Sequence, residues 1–177
     1  MPTGDMLVQL LKLPANQPLI EHQRAAGVII KRGSSFEMTP VVDFVRSNWN
    51  QVWADEVTIA FTRQPVCVFI ALRDGDVVGF AAYEATRRNF LGPMGVLERE
   101  RGKGIGEALL IAALHAMRDM GYAYAIIGGV GPADFYARIA GAMPIPGSTP
   151  GIYAGQLRSA APAPAPLLPS NDKSSEP

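Results

Sequence analysis

Apolar runs separated by turn-forming residues predict three consecutive strands in the middle of the chain. Val66 to Leu72 and Val77 to Ala85 flank Asp74-Gly75, a dipeptide that strongly favours a β-hairpin turn. A third apolar run, Phe90 to Val96, is interrupted by two glycines and a proline. We therefore expect a bent or bulged strand there, whose backbone something else approaches closely.

Helical spacing is clearest between Gly104 and Met120, where apolar residues recur every three or four positions on one face. The continuous apolar run that follows, Tyr122 to Ile127, predicts a strand covered on both faces. A short helix is expected from Gly131-Pro132 through Ile139. Two last strands are predicted over Met143 to Ile145 and Ile152 to Leu157.

The N-terminal third contains shorter predicted elements. Leu7 to Leu11 predicts a strand, Leu19 to Ala26 a short helix, and Val28 to Lys31 another strand. Thr39 before Pro40 is typical of a helix N-cap followed by proline at the first helical position, so a helix is expected to begin there. Val52 to Phe61 predicts a second, less regular helix.

This order of strands and helices indicates an α/β fold with strands of mixed direction in one sheet. We expect residues 1–26 to form an N-terminal strand-helix extension and residues 27–158 to form the main domain. Alanine and proline alternate in the segment that follows. Such a composition cannot build a core, so residues 159–177 are predicted to be a disordered tail.

Charge and cysteine content exclude several kinds of partner. Sixteen Lys and Arg residues balance sixteen Asp and Glu residues and are scattered along the chain, so no nucleic-acid partner is expected. Cys67 is the one cysteine and lies in an apolar run, where it predicts a small buried side chain. His22 and His115 lack partners at metal-binding spacing. Without a leader or a run long enough to cross a bilayer, we expect a cytoplasmic protein that does not contact membranes.

The clearest chemistry lies in the glycine-rich loop Arg101-Gly102-Lys103-Gly104-Ile105-Gly106, between the third strand and the longest helix. Alternating glycines allow dihedrals that side chains forbid, so successive backbone N–H groups can point into one concavity. The helix that follows contributes unpaired N–H groups and a positive dipole. Arg101 and Lys103 add positive charge, so the loop predicts a diphosphate site.

Two other phosphate-binding families are excluded by the same residues. A P-loop requires Gly-Lys followed by Ser or Thr, whereas Lys103 is followed by Gly104. The dinucleotide-binding fingerprint requires a third glycine where this chain has Glu107.

The loop and the element order resemble the GCN5-related N-acetyltransferases (GNAT) over roughly residues 27 to 157. The acetyl-coenzyme A motif of that family has Arg or Gln, two residues, Gly, one residue, and Gly or Ala, which Arg101 to Gly106 satisfies. The resemblance implies a mixed, splayed β-sheet flanked by helices, with acetyl-coenzyme A as cosubstrate. It also implies that backbone groups near Met94 and Val96 bind the pantetheine arm, and that the diphosphate is held by the amides of Arg101, Gly102, Lys103, Gly104, Ile105 and Gly106.

Acetyl transfer requires a neutral amine and a proton for the departing thiolate. The resemblance nominates Tyr136 as the acid, because Phe135-Tyr136 is similar to the start of the family pattern Phe-Tyr-Glu-Lys-Leu-Gly, although one extra residue precedes Gly141. Glu84 is a candidate base if its carboxylate faces the cleft, and a solvated strand carboxylate is the alternative. Asp55 and Glu56 are either solvated acids on the surface of a helix or acids that attract a cationic acceptor.

The resulting hypothesis is an N-acetyltransferase that moves an acetyl group directly from acetyl-coenzyme A to a primary amine of a small molecule or peptide. The main alternative is a non-catalytic acyl-coenzyme A-binding or regulatory module on the same fold. Transfer to a non-amine, or of another acyl group, is a third possibility. The sequence leaves the acceptor open, and it is compatible with a homodimer.

Overall fold

The computed structural model of the protein describes residues 4–157, so the predicted tail from residue 159 lies outside the described residues. Within them, seven strands form one mixed sheet in the order β2-β3-β4-β5-β6-β1-β7. The strands are β1 (Met6–Gln9), β2 (Val28–Arg32), β3 (Val68–Arg73), β4 (Asp76–Tyr83), β5 (Phe90–Val96), β6 (Tyr124–Ile127) and β7 (Met143–Pro144). The helices are α1 (Gln17–Ala25), α2 (Met38–Asn48), α3 (Gln51–Phe61), α4 (Ile105–Asp119) and α5 (Ala133–Ala140). The predicted α/β fold with a mixed sheet flanked by helices is confirmed.

Helices cover both faces of the central strands. Successive residues of β4 point to opposite faces of the sheet. On one face, a Cβ built at Gly79 would lie 3.1 Å from Leu109 of α4. On the other face, the Phe80 ring packs edge-on against Trp49, the C-cap of α2, and against Trp53 of α3. The two helical layers therefore bury β4 from opposite sides.

The hairpin and the bulge predicted in the middle of the chain are both present. Asp74 and Gly75 have φ values of 53° and 88°, as a two-residue turn with left-handed central residues requires. In the β4–β5 ladder, Ala81 faces Met94 and Tyr83 faces Leu91, so β5 contains one extra residue at this point. This bulge bends β5 away from its neighbour.

The N-terminal strand belongs to the main sheet. β1 pairs antiparallel with β6 along its whole length and with β7 on its other side. Helix α1 packs against α4. The segment 1–26, predicted as an extension, therefore contributes a strand inside the sheet and a helix against its longest helix.

Three local predictions are wrong. Helix α2 begins at Met38 rather than after Thr39, because Ser34 and Glu37 form a reciprocal capping box around the preceding 3₁₀ turn. A 3₁₀ turn, Gly151–Tyr153, replaces the strand predicted over Ile152 to Leu157. β6 is not covered on both faces, because Tyr124, on the face opposite Ala125, is 52% exposed.

Candidate active site

A cleft opens where two adjacent strands separate. β5 and β6 run parallel and pair only at Phe90 with Ile126 and at Leu91 with Ile127. After Leu91 the bulge bends β5 away, so the rest of β5 borders a cleft instead of a neighbouring strand. A cavity of about 880 Å³ fills this cleft.

The cleft side of β5 carries backbone groups that have no strand partner, and one of them, the Val96 carbonyl oxygen, accepts from the Arg101 Nε at 3.3 Å. The Leu97 N–H donates to the Val78 carbonyl of β4 at 3.0 Å. In an antiparallel ladder hydrogen-bonded pairs alternate, so Gly95 bonds to β4 while Met94 and Val96 direct their N–H and C=O groups towards the cleft. These are the two positions predicted to bind a pantetheine arm as an added strand would. Both residues line the cavity.

The glycine-rich loop forms one end of the same cavity. Gly102 and Gly104 have φ values of 76° and 79°, in the left-handed region that favours glycine, and Gly104 is the N-cap of α4. The loop residues that line the cavity are Arg101, Gly102, Gly104, Ile105 and Gly106. A helix N-terminus and alternating glycines thus face one concave space, which is the arrangement that binds phosphate groups.

Lys103 does not line this cavity. Its ammonium group lies 3.0 Å from the Glu100 carboxylate, which Arg73 also contacts at 3.2 Å. The hydrogen bond from Lys103 lowers the pKa of Glu100, opposing its desolvation, and the Arg73 charge adds to this effect. The group of two cations and one carboxylate carries one net positive charge, although Glu100 itself lines the cavity. Lys103 therefore acts at a distance on any anion bound there.

Sequence reasoning missed Gln23, which contacts the loop from behind. Its side-chain Nε2 donates to the Lys103 carbonyl oxygen at 2.8 Å. Gln23 lies on α1, 80 residues away in sequence, and is 2% exposed. No local pattern marks it, because a glutamine on a short helix is ordinarily a solvated residue.

Tyr136 lies on α5 and lines the cavity. Its side chain is 8% exposed, and burial raises its pKa to about 12. Among the described residues, none forms a hydrogen bond with its hydroxyl group. The hydroxyl therefore stays protonated at neutral pH and is free to donate to a bound ligand.

Glu84 does not face the cleft. Its side chain is fully buried, and its two oxygens accept from Arg88 at 2.8 Å and from the Asn89 N–H at 2.6 Å. The residue has φ 57° and directly follows β4, and its carboxylate folds back onto the loop that precedes β5. The geometry therefore contradicts the expectation that Glu84 faces the cleft as a base, because its carboxylate binds Arg88 and the Asn89 N–H in this loop.

A second cavity of about 600 Å³ adjoins the first where β5 and β6 separate. The residues that line both cavities are Trp53, Leu91, Gly92, Pro93, Gly128 and Gly129. The second cavity also contains two carboxylates, Asp5 and Glu56, and the guanidinium of Arg87. The two cavities thus meet where the strands separate.

The structure distinguishes the two adjacent acids of α3. Asp55 is exposed, lies outside the cavity and accepts from Gln51 at 2.6 Å, whereas Glu56 lines the cavity and accepts from Thr86 at 2.6 Å. Asp5, which sequence reasoning missed, is 7% exposed and accepts from the Gly129 N–H at 2.9 Å.

Tyr153 completes the wall of the second cavity. A Cβ at Gly128 would lie only 2.6 Å from its hydroxyl oxygen, so the phenol rests on the turn that follows β6. Burial raises the pKa of Tyr153, and the nearby charges of Asp5 and Glu56 raise it further. The charge of Arg87 acts in the opposite direction on this hydroxyl, and the two carboxylates outnumber this guanidinium in the cavity.

Residues 4–157 contain no cluster of three or more His, Cys, Asp or Glu side chains that could hold a metal ion. In the same part of the chain, no helix has the length and apolar character needed to cross a membrane.

Solved structures of acetyltransferases have a similar fold. The GCN5-related glucosamine N-acetyltransferase region of a fungal multi-domain GH3 β-N-acetylglucosaminidase superposes with a TM-score of 0.66 and 16% identity, over 80% of this chain and 19% of that chain. A GCN5-related N-acetyltransferase from Sphaerobacter thermophilus superposes with a TM-score of 0.57 and 19% identity, over 82% of this chain and 50% of that chain. One from Kribbella flavida superposes with a TM-score of 0.56 and 18% identity, over 81% of this chain and 55% of that chain. The chain thus spans between about a fifth and just over half of these solved chains.

Sequence comparison agrees with the fold. No curated protein matches the sequence significantly. Residues 36–141, which run from before α2 to the end of α5, match the family model described as the acetyltransferase (GNAT) family. That match covers more than half of the chain and includes the glycine-rich loop, the bulged β5 and Tyr136. The chain belongs to the acetyltransferase (GNAT) family.

Proposed function

We propose that the chain binds acetyl-coenzyme A in the larger cavity and transfers the acetyl group directly to an amine in the second cavity. The observation that carries this proposal is the meeting of the two cavities at the separation of β5 and β6. The glycine loop from Arg101 to Gly106 holds the diphosphate, and the backbone groups of Met94 and Val96 that have no strand partner bind the pantetheine arm. The thioester then lies near the shared wall, accessible from the other side.

The charges of the second cavity favour a cationic acceptor. Two carboxylates, Asp5 and Glu56, outnumber the guanidinium of Arg87. An aliphatic amine has a pKa of about 10.4 and arrives protonated at neutral pH, so the carboxylates attract it. It must lose a proton before its nitrogen can attack the thioester carbon. Glu56 is well placed to accept this proton, because only one of its oxygens has a hydrogen-bond partner among the described residues.

Tyr136 acts on the leaving group. As the new C–N bond forms and the C–S bond breaks, negative charge develops on the sulfur. The Tyr136 side chain lines the same cavity, and its hydroxyl, protonated at neutral pH, donates to this sulfur. The nitrogen loses a second proton as the amide forms, which balances the proton taken up by the sulfur, and the first proton passes from Glu56 to solvent. The products are coenzyme A and an N-acetylated amine.

The decisive experiment is an acetyl-coenzyme A consumption assay over monoamines, polyamines, amino sugars, amino acids and peptides, with the acetylated product identified by mass spectrometry. We expect an N-acetyl product from a cationic acceptor. Binding of acetyl-coenzyme A without turnover of any acceptor would favour the non-catalytic alternative. An O-acetyl product would show that the acceptor is not an amine.

Adjacent acids on α3 provide a matched test of the acceptor site. Glu56→Gln removes a carboxylate inside the second cavity, whereas Asp55→Asn removes one outside it. For the best acceptor we expect kcat/KM to fall at least roughly tenfold in Glu56→Gln, since loss of a charge-assisted contact alone has this scale and loss of the proton acceptor adds to it, with little change in Asp55→Asn. Equal effects in the two variants would contradict the assignment of the second cavity.

A further inference from the structure

Gln23 joins the N-terminal helix to the glycine loop. Its side chain lies on α1, is 2% exposed and does not line the larger cavity. The amide Nε2 donates to the Lys103 carbonyl oxygen at 2.8 Å. A Cβ at Gly104 would lie 2.9 Å from the same nitrogen, so the amide contacts the loop on both sides of one peptide unit.

The hydrogen bond from Gln23 fixes the direction of the next N–H group. In a planar trans peptide, the C=O of Lys103 and the N–H of Gly104 point in opposite directions. Gln23 holds the C=O on the side away from the cavity, and Gly104 lines the cavity. The Gly104 N–H is therefore directed towards the cavity. Donation to the carbonyl also polarises the peptide unit and strengthens its N–H as a donor.

Lys103 is held by a second contact that is independent of Gln23. Its ammonium group binds Glu100 at 3.0 Å, and Glu100 in turn contacts Arg73 at 3.2 Å. The side chain and the carbonyl of Lys103 are thus anchored to different elements. Loss of Gln23 would free the peptide unit to rotate while leaving the Lys103 side chain in place.

The other half of the Gln23 amide adds no hydrogen bond to the fold. Its Oε1 is buried and has no partner among the described residues. An unpaired buried acceptor destabilises a protein by an amount similar to what one satisfied hydrogen bond contributes. The Gln23 amide therefore contributes little to the global free energy of unfolding. Its hydrogen bond to Lys103 still determines the orientation of the loop peptide.

We propose that Gln23 is a positioning residue that orients the Gly104 amide to bind a diphosphate. The inference rests on the proposed function, which assigns the diphosphate of acetyl-coenzyme A to the glycine loop. By this inference α1 takes part in cosubstrate binding although it lies outside the cavity, and outside residues 36–141, which match the family.

The test compares Gln23→Met with Gln17→Met in the full chain. Both change a glutamine of α1, but Gln17 is exposed and bonds only to Glu21. Affinity is measured for coenzyme A, which contains the diphosphate, and for pantetheine, which lacks it. Gln23→Met should bind coenzyme A roughly tenfold more weakly, the scale of one lost hydrogen bond, with pantetheine affinity changed less than twofold. Its melting temperature should stay close to that of the wild type.

Two results would overturn the proposal. One is unchanged coenzyme A affinity in Gln23→Met. The other is a parallel loss for coenzyme A and pantetheine, as a general distortion of the domain would produce. A wild-type chain that binds no coenzyme A would instead overturn the proposed function itself, so the two failures are distinguishable.

A second variant, Gln23→Glu, keeps the test informative if the methionine variant folds poorly. A protonated carboxyl group can donate to the Lys103 carbonyl, whereas a carboxylate repels it and any bound phosphate. The coenzyme A affinity of Gln23→Glu relative to the wild type should therefore recover several-fold as the pH falls from about 8 to about 5. A ratio that does not change with pH would contradict a positioning role.

Discussion

Replacing Tyr136 with phenylalanine isolates the contribution of one hydroxyl group to the proposed reaction. Phenylalanine keeps the ring and its edge-on contact with Phe135, whose centroid is 5.1 Å away. Since no described residue bonds to the hydroxyl, its removal breaks no hydrogen bond within that part of the chain. We therefore expect an unchanged fold and nearly unchanged binding of acetyl-coenzyme A.

The pKa of Tyr136 sets the size of the catalytic effect. A tyrosine with a pKa of about 12 is a weaker acid than a thiol, whose pKa is about 8.5. Complete proton transfer from Tyr136 to the thiolate is therefore unfavourable, unless desolvation in the site raises the pKa of the thiol. The hydroxyl then contributes mainly a hydrogen bond to a charged atom, worth about 1.5–3 kcal/mol. This corresponds to a roughly ten- to hundredfold loss of kcat in Tyr136→Phe.

Steady-state and single-turnover kinetics with the best acceptor measure this loss, and Tyr83→Phe is a control for removal of a buried hydroxyl. Tyr83 also has its pKa raised to about 12 and lies outside both cavities, but Arg32 donates to its hydroxyl, so Tyr83→Phe should lower stability without slowing the chemical step. Only Tyr136→Phe should slow the chemical step. Near-normal single-turnover rates in Tyr136→Phe would refute the role of this hydroxyl.

The same pKa predicts how stability changes at high pH. An unfolded tyrosine ionises near pH 10 and buried Tyr136 near pH 12, so the folded state binds more protons between these values. Its stabilising contribution is complete below pH 10 and is lost as the pH rises towards 12, by about 3 kcal/mol. Urea unfolding from pH 9 to 12 should show a shallower decline in Tyr136→Phe, and identical pH profiles would contradict the burial of this hydroxyl.

The remaining predictions concern the loop and Glu84. Gly102→Ala places a Cβ in open space and should cost about 1–2 kcal/mol of unfolding free energy through its φ of 76°, whereas Gly104→Ala adds a contact 2.9 Å from Gln23 and should cost about 1 kcal/mol more. Chemical denaturation measures both, and the difference should shrink when Gln23 is already methionine, because the hydrogen bond to the Lys103 carbonyl is then absent. Glu84→Gln should lower the melting temperature, because its buried carboxylate pairs with Arg88, and leave kcat of the folded fraction unchanged. Loss of kcat without loss of stability would return Glu84 to the mechanism.

The sequence was sufficient for the features that depend on local backbone chemistry. Asp74-Gly75 predicted the hairpin, and the glycines and proline of β5 predicted the bulge, because left-handed dihedrals and missing donors constrain the chain wherever they occur. The glycine loop predicted the N-terminus of α4 for the same reason. These local features also made the sequence resemble the GNAT family, and the match of residues 36–141 to the family model confirms that assignment.

The tertiary structure alone decided which side chains surround the cleft. Glu84 and Glu56 are both acids in elements that were predicted, yet one folds onto its own loop and the other lines the second cavity. Asp5 and Gln23 reach the site from an N-terminal segment that the sequence placed outside the main domain. These outcomes depend on pairing β1 with β6 and packing α1 on α4, contacts between residues more than eighty positions apart, which leave no periodic or turn signal in the sequence.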